Sequence, residues 1–325
     1  MVVSEPNAPV PQPVPVVFMG SPAFAVPTLQ SLAQDTRFTV RLVVTQPPKP
    51  IGRGKQIAYS AVHEAADRLG LTVWTPERLR GMEALTVLRE AGATLHIVAA
   101  YGKILRRDVL AIPTHGTLNV HASLLPAYRG ASPITAVILD GVAQTGVTIM
   151  LLDEGLDTGP VLSKTGLDIS SKDTITTLTE RLATAGAPLL VDTAVRWIAG
   201  EITPKLQDAT RATVTRTLTK EDGFVDFTQA PEQLARMERA YMPWPGLYTF
   251  LGGMRVILRA LTPAAAESDA PSGTILAADR EGISVATGGG VVRIGAVQPE
   301  GKGAMPASAF AAGRPNLVGM RFRTR

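Results

Sequence analysis

The 325-residue chain contains no cysteine. That excludes a disulfide framework, a thiolate nucleophile and a thiolate zinc site together. Histidine is scarce as well, four in all with no HExxH-like pair, which leaves little material for a metal centre. No metal is expected. No stretch approaches the roughly 20 apolar residues that a membrane-spanning helix requires. The first 15 residues carry Pro6, Pro9, Pro11, Pro13 and Pro15, with neither a basic start nor a continuous apolar run. Residues 1–13 therefore read as a disordered, Pro-rich tail rather than a signal peptide. The expected address is the cytoplasm, with no membrane partner.

What is present is a globular balance, 45% hydrophobic and 18% charged, at a length that suits two domains. The formal net charge of +4 is mild, but it is unevenly placed. Between Asp208 and Arg325 there are 14 Lys and Arg against 11 Asp and Glu, while the remainder is close to neutral. A slightly basic second half is compatible with a polyanionic partner.

Apolar runs at Val14–Met19, Val40–Val44, Leu95–Ala100, Thr117–Val120 and Val147–Leu152 lack polar alternation. Helical patterns near Phe24–Leu32, Tyr59–Leu69, Met82–Ala91 and Ile134–Leu139 fall between them, and Thr174–Ala199 closes the series. Strands without alternation, separated by helices, indicate a parallel sheet covered on both faces. The expected fold class is α/β: a Rossmann-like, doubly wound, mostly parallel sheet domain over residues 14–204. Residues 205–220 read as a linker. After it, one amphipathic helix (Pro231–Tyr241) and short β-type runs separated by Gly252-Gly253 and Gly288-Gly289-Gly290 suggest a small barrel or sandwich over 221–325. An OB-like barrel is the expectation.

The first strand–turn–helix carries Gly20-Ser21-Pro22-Ala23-Phe24. A dinucleotide site would need G-x-G-x-x-G there, so that backbone could approach a pyrophosphate; one glycine and a Phe disfavour it. The densest cluster is Asn119-Val120-His121-Ala122-Ser123-Leu124-Leu125-Pro126, followed by Tyr128-Arg129-Gly130-Ala131. Asn119 and His121 are two apart on a presumed strand end and so share a face, where open α/β sheets place their ligands. After the next strand, Asp153-Glu154-Gly155-Leu156-Asp157-Thr158-Gly159 would bring an acid to the same rim. An amide donor, an imidazole and a carboxylate suit attack by an amine on a carbonyl. Spacing alone also allows Asn119 to be a turn cap and Asp153, Glu154 and Asp157 to be solvated loop charges. His63, His96 and His115 read as packing or capping residues.

Asn-x-His-x-Ser-Leu-Leu-Pro, the following Tyr-Arg-Gly-Ala, and Asp-x-Gly-x-Asp-Thr-Gly resemble the formyltransferase family that uses 10-formyltetrahydrofolate. The resemblance implies that Asn119, His121 and Asp157 are catalytic. It also implies a folate site lined by Ser123, Leu124, Leu125 and Pro126, with the Tyr101-Gly102 turn and Asp153 beside it. Three further features resemble the branch of that family that formylates methionine on initiator tRNA. They are the Phe-Met-Gly-Ser-Pro-Ala-Phe-Ala start, Thr45 to Gln56 (TQPPKPIGRGKQ), and Lys220-Glu221-Asp222-Gly223 with Pro243-Trp244-Pro245-Gly246. The resemblance implies formyl-accepting Met-tRNA and tetrahydrofolate as partners, and translation initiation as the process. The chain is expected to act as a monomer.

The second feature has its own physical reading. A loop of roughly a dozen residues between strand and helix exceeds the usual βα connection. It carries Lys49, Arg53 and Lys55 with no acid, which by itself fits an ordinary solvated surface loop equally well. The resemblance implies a loop that reaches the end of the acceptor stem, where phosphate contacts would explain the charge. Three departures from the branch stand out: Arg106 where Pro is usual after Lys-Ile-Leu, Met242 where Asn precedes Pro-Trp-Pro, and Pro48-Lys49 where Asp-Arg is usual. Other readings fit less well. A glycinamide ribonucleotide formyltransferase lacks the basic loop and second β domain, sugar-nucleotide formyltransferases commonly lack the loop, and the folate hydrolase module is usually fused to a dehydrogenase. An RNA-binding module on a silent α/β scaffold would not need the intact Asn, His and Asp.

Overall fold

A computed structural model describes residues 13–51 and 56–325. The tail read over 1–13 lies, but for its last residue, outside the described residues, as do Arg53 and Lys55. The chain divides into two compact units. The first comprises residues up to Ala131, Gln144–Asp168 and Thr179–Val214; the second comprises Ser132–Ala143, Ile169–Leu178 and Thr215–Arg325.

Among the described residues the first unit contains ten strands: β1 (Val14–Gly20), β2 (Phe38–Val44), β3 (Lys49–Ile51), β4 (Gln56–Ala58), β5 (Val73–Trp74), β6 (Leu95–Ala99), β7 (Thr117–His121), β8 (Arg129–Gly130), β9 (Gln144–Leu151) and β10 (Val161–Asp168). Seven of them form one sheet in the order β10-β9-β7-β6-β1-β2-β5. β5, β2, β1, β6 and β7 run parallel, and β6 and β7 are buried at every position, as a sheet covered on both faces requires. Helices α1 (Val26–Gln34), α2 (Ala61–Arg68), α3 (Gly81–Glu90) and α4 (Arg107–Leu110) connect them. Each long helix presents one apolar stripe. In α3, Ala84, Leu85 and Leu88 are buried at helical spacing against a core that includes Val17, Met19, Leu42, Val44 and Val98. In α2 the Ser60 hydroxyl caps the first turn by accepting from the His63 N–H at 3.0 Å.

The sheet departs from the sequence reading at one edge. β9 runs antiparallel to β7, and β10, which the sequence reading did not include, runs antiparallel to β9. The intervening helix α5 (Pro133–Asp140) groups by its contacts with the second unit. An antiparallel neighbour needs no crossover helix of its own.

The second unit is built on β12 (Tyr248–Leu251), β13 (Met254–Ala264), β14 (Ile275–Asp279), β15 (Gly282–Thr287), β16 (Gly290–Pro299) and β17 (Met305–Pro306), where β11 is the short Val214–Thr215 strand preceding them. These six form one antiparallel sheet with the path β12-β13-β16-β15-β14, β17 pairing with β16. Besides α5, helices α7 (Pro231–Tyr241) and α8 (Ala307–Ala312) lie in this unit, and α6 (Ile175–Ile198) is shared between the two. α7 starts with Pro231 at its first turn, where no N–H is needed. It buries Leu234, Met237, Ala240 and Tyr241, and its Arg236 reaches the carbonyl of Leu139 at 3.1 Å.

Candidate functional site

Asn119 and His121 stand on β7, two residues apart, and are 8% and 5% exposed. The loop after β9 carries Asp157, whose Oδ1 lies 3.5 Å from the Asn119 amide and whose Oδ2 lies 3.6 Å from His121 Nδ1. The three residues singled out in the sequence therefore meet. Those two distances are at the long end of polar contact, whereas the Gly130 N–H donates to Asp157 Oδ2 at 2.8 Å. The carboxylate is thus anchored by backbone, while the amide and imidazole retain capacity for a ligand, as catalytic groups without substrate often do.

His121 is oriented through Nε2. Nε2 lies 2.9 Å from the carbonyl of Tyr128 and Nδ1 faces Asp157. The Tyr128 carbonyl holds Nε2 and orients the ring, while Nδ1, beyond hydrogen-bond range of Asp157, remains open to a ligand. The supporting backbone is unusual at just these points. Ala100, Tyr128 and Asp157 all adopt positive φ (47°, 59° and 53°). A non-glycine residue there is strained, and such positions concentrate at functional sites.

The segment Ser123–Pro126 is pinned from several sides. The Ser123 hydroxyl donates to Ala127 O at 2.6 Å, the Leu125 N–H donates to Thr148 Oγ1 at 3.1 Å, and Thr148 donates to Ser123 O at 2.7 Å. Lys164 Nζ donates to Leu125 O; burial holds that ammonium below the usual lysine range, with Arg211 adding to the effect. Ser123 and Leu125 are buried, and Leu124 and Pro126 are half-exposed. At the end of β6, the Tyr101 side chain is 1% exposed within the core, and burial pushes its phenol up to about 12. What this turn can offer a ligand is backbone. Gln46 Nε2 donates to Tyr101 O at 3.0 Å, and Gly102 follows at φ +77°.

Asp153 has a definite task inside the loop: it accepts from the Gly155 N–H at 3.1 Å and from the Thr158 hydroxyl at 2.8 Å. Gly159 is required sterically, since a Cβ there would sit 1.9 Å from the Leu151 carbonyl oxygen. Lys49 lies on β3, which pairs with β4 as a hairpin within the basic loop, and its Nζ is 3.5 Å from Gln46 Oε1.

The sequence reading missed the residues behind the loop. Gln207, in the stretch read as linker, donates from Nε2 to Asp157 O at 2.8 Å and Gly159 O at 2.7 Å. Its Oε1 accepts from Arg129 Nε at 3.0 Å and Nη2 at 2.8 Å. Thr213 accepts from the Tyr128 N–H through its hydroxyl at 2.7 Å and from the Arg129 N–H through its carbonyl at 2.8 Å. Nothing periodic marks Gln207 or Thr213; only the neighbouring Tyr-Arg-Gly motif pointed to this place.

Among the described residues no cluster of His, Asp and Glu could hold a metal ion, and no helix is long and apolar enough to cross a membrane.

Residues 14–194 match the family described as formyl transferase, and residues 217–315 match the formyl transferase C-terminal domain. The chain is 46% identical over 297 residues to the methionyl-tRNA formyltransferase of Roseiflexus sp. strain RS-1, covering 91% of each chain. It is 44% identical over 308 residues to that of Thiobacillus denitrificans, covering 94% of this chain and 99% of the relative. Among solved structures, an N-formyltransferase from Helicobacter canadensis in complex with folinic acid and dTDP-3-aminofucose superposes with a TM-score of 0.62 at 16% identity, covering 86% of this chain and 98% of that one. HypX from Aquifex aeolicus in complex with tetrahydrofolic acid gives 0.61 at 16% identity, covering 93% of this chain and 48% of that one. At these identities the two structures share the fold.

Proposed function

The chain belongs to the methionyl-tRNA formyltransferase family, and from that premise we propose that it moves the formyl group of 10-formyltetrahydrofolate onto the amino group of methionine carried by initiator tRNA. The observation that carries this reading is the meeting of Asn119, His121 and Asp157 on a backbone-anchored carboxylate.

The donor set fits the chemistry. As the amine nitrogen bonds to the formyl carbon, the formyl oxygen gains charge. The Asn119 amide is available to donate to it, and a His121 protonated on both nitrogens would donate a second bond from Nδ1 while Tyr128 O keeps Nε2. Asp157, 3.6 Å from Nδ1, would stabilise that charge on the ring. The amine gives up a proton, the bond from the formyl carbon to the folate nitrogen breaks, and that nitrogen takes a proton in turn. That proton would be relayed by His121 and Asp157, directly or through one water. The folate ring would lie along Ser123–Pro126 and the Tyr101-Gly102 turn, where fixed backbone and the half-exposed Leu124 and Pro126 supply hydrogen bonds and apolar contact. On the acceptor side, Lys49, Arg53 and Lys55 would meet phosphates near the end of the acceptor stem, and the second unit would hold the body of the tRNA.

Formyl transfer by His121→Ala, Asn119→Ala and Asp157→Asn tests the assignment. Loss of one oxyanion donor costs on the order of 10²–10³ in rate, and paired variants should fall well short of additivity. Near-wild-type kcat for His121→Ala would remove the histidine from the mechanism.

A further inference from the structure

The segment Arg321–Arg325 reads Arg-Phe-Arg-Thr-Arg and lies outside the residues matched to the C-terminal domain of the family. Its backbone is tied down. Phe322 N–H donates to Gly273 O at 2.9 Å, Arg323 N–H to Phe250 O at 2.8 Å, and Arg325 N–H to Val225 O at 3.1 Å. Alternation along extended chain turns Phe322 inward, where it is buried and stacked on Phe227 at 5.9 Å. The same alternation leaves Arg321, Arg323 and Arg325 exposed.

Beside these arginines lie three half-buried rings. Tyr248 and Phe250 share a face of β12 by the period of two, and Phe224 stacks on Tyr248 at 5.6 Å and 14°. Phe250 meets both edge-on, at 5.8 and 6.0 Å. The Arg255 guanidinium sits 4.1 Å from the Tyr248 ring centroid, and Arg323 sits 5.8 and 5.9 Å from Phe224 and Phe250. A cleft of about 620 Å³ opens here, lined by Phe250, Gly252, Gly253, Arg321, Phe322, Arg323 and Thr324. Among the described residues no carboxylate lines it. Among the same residues, none of Arg255, Arg321 and Arg323 takes part in a salt bridge. The glycines at its lip, with φ of 55° and 84°, have no atom near where a side chain would begin.

A row of exposed arginines alone is an ordinary solvated face. Here the cations surround planar apolar surface that is left half-covered, in a cleft with no carboxylate in its described lining; Asp226, behind Thr324, is taken up by Thr228 and Thr324. The ligand chemistry that satisfies both is a flat π-system bearing phosphate. We propose that this cleft takes one unpaired nucleotide of the RNA acceptor, the base stacking on Phe250 and the flanking phosphates held by Arg321 and Arg323. This rests on the tRNA-formylating function proposed above.

The test is fluorescence anisotropy of labelled, deacylated initiator tRNA with the full-length protein across a salt series. Phe250→Leu should weaken binding by about 5- to 150-fold, the range for loss of one base stack, with the salt slope unchanged. Phe250→Tyr should restore it, because the ring returns. Arg321→Gln with Arg323→Gln should lower the slope by about 2, close to one for each phosphate no longer neutralised. Melting curves superposing on wild type exclude a folding effect. Unchanged affinity and slope in both variants, with wild-type protein still formylating Met-tRNA, would overturn this inference and leave the function intact. Wild-type protein that does not formylate would overturn the function instead. Adenosine monophosphate that protects the cleft from proteolysis, while neither variant alters tRNA binding, would refute the assignment to RNA.

Discussion

Gln207 offers a sharp perturbation because its amide works in two directions at once. Nε2 donates to the carbonyls of Asp157 and Gly159, and Oε1 accepts two bonds from Arg129. Gln207→Ala removes all four. At about 0.5–1.5 kcal/mol for each neutral bond and 1.5–3 for bonds to a charged group, a loss of about 2–4 kcal/mol of local stability is expected after water replaces some of them. Gln207→Glu separates the two directions. It keeps an acceptor for Arg129, but sets a carboxylate oxygen against the two backbone carbonyls, so only the Asp157 loop should be released. A displacement of the order of 1 Å at a reacting group can cost about 10² in rate. Both variants should therefore lower kcat by roughly that factor, with KM for the folate changing little, because Gln207 holds Asp157, Gly159 and Arg129, none of which belongs to the proposed folate wall. Single-turnover formyl transfer reads the rate, and thermal melting reads the stability. A Gln207→Glu protein with wild-type kcat would refute the claim that Gln207 positions Asp157.

Two other outcomes follow from buried geometry. Gly159→Ala drives a Cβ into the Leu151 carbonyl; the backbone must shift at a cost of about 1–3 kcal/mol, so melting should drop and formyl transfer should fall with it, whereas Gly303→Ala, with open space around it, should leave transfer unchanged. His96 on β6 is 0% exposed, neither ring nitrogen has a partner among the described residues, and burial pushes the imidazole from 6.5 down to about 4. Between those values the unfolded chain binds a proton that the native chain refuses, so stability is full above 6.5 and declines as pH falls through the window, by about 3 kcal/mol in all. Urea titrations at pH 7 and 4.5 should show a smaller decline for His96→Leu; an equal decline would place the acid sensitivity elsewhere.

Most of the first unit was legible because buried parallel strands carry continuous apolar runs. Leu95–Ala99 and Thr117–His121 fall almost where the pattern put them. Pro231–Tyr241 was legible from its periodicity and initial proline. β10 was not, since Val161–Asp168 is an edge strand with mixed burial and two polar residues in its centre, Ser163 and Lys164. β9 was seen as a strand but not in its direction, which an apolar run does not encode. The Asn119, His121 and Asp157 cluster was legible through the resemblance of its motifs, since spacing alone left Asn119 open as a turn cap and Asp157 as a solvated charge. Gln207, Thr213 and the left-handed backbone at Asp157 were not, because a single polar residue in an aperiodic stretch carries no sign of the partner 50 residues away that it holds.

The central claim is tested most directly by single-turnover transfer from 10-formyltetrahydrofolate with charged initiator Met-tRNA and charged elongator Met-tRNA side by side. The account predicts formylmethionine on the initiator tRNA with wild-type protein, a much slower reaction on the elongator, and a loss of about 10²–10³ with His121→Ala. No formyl transfer by wild-type protein, or equal transfer by His121→Ala, would contradict it.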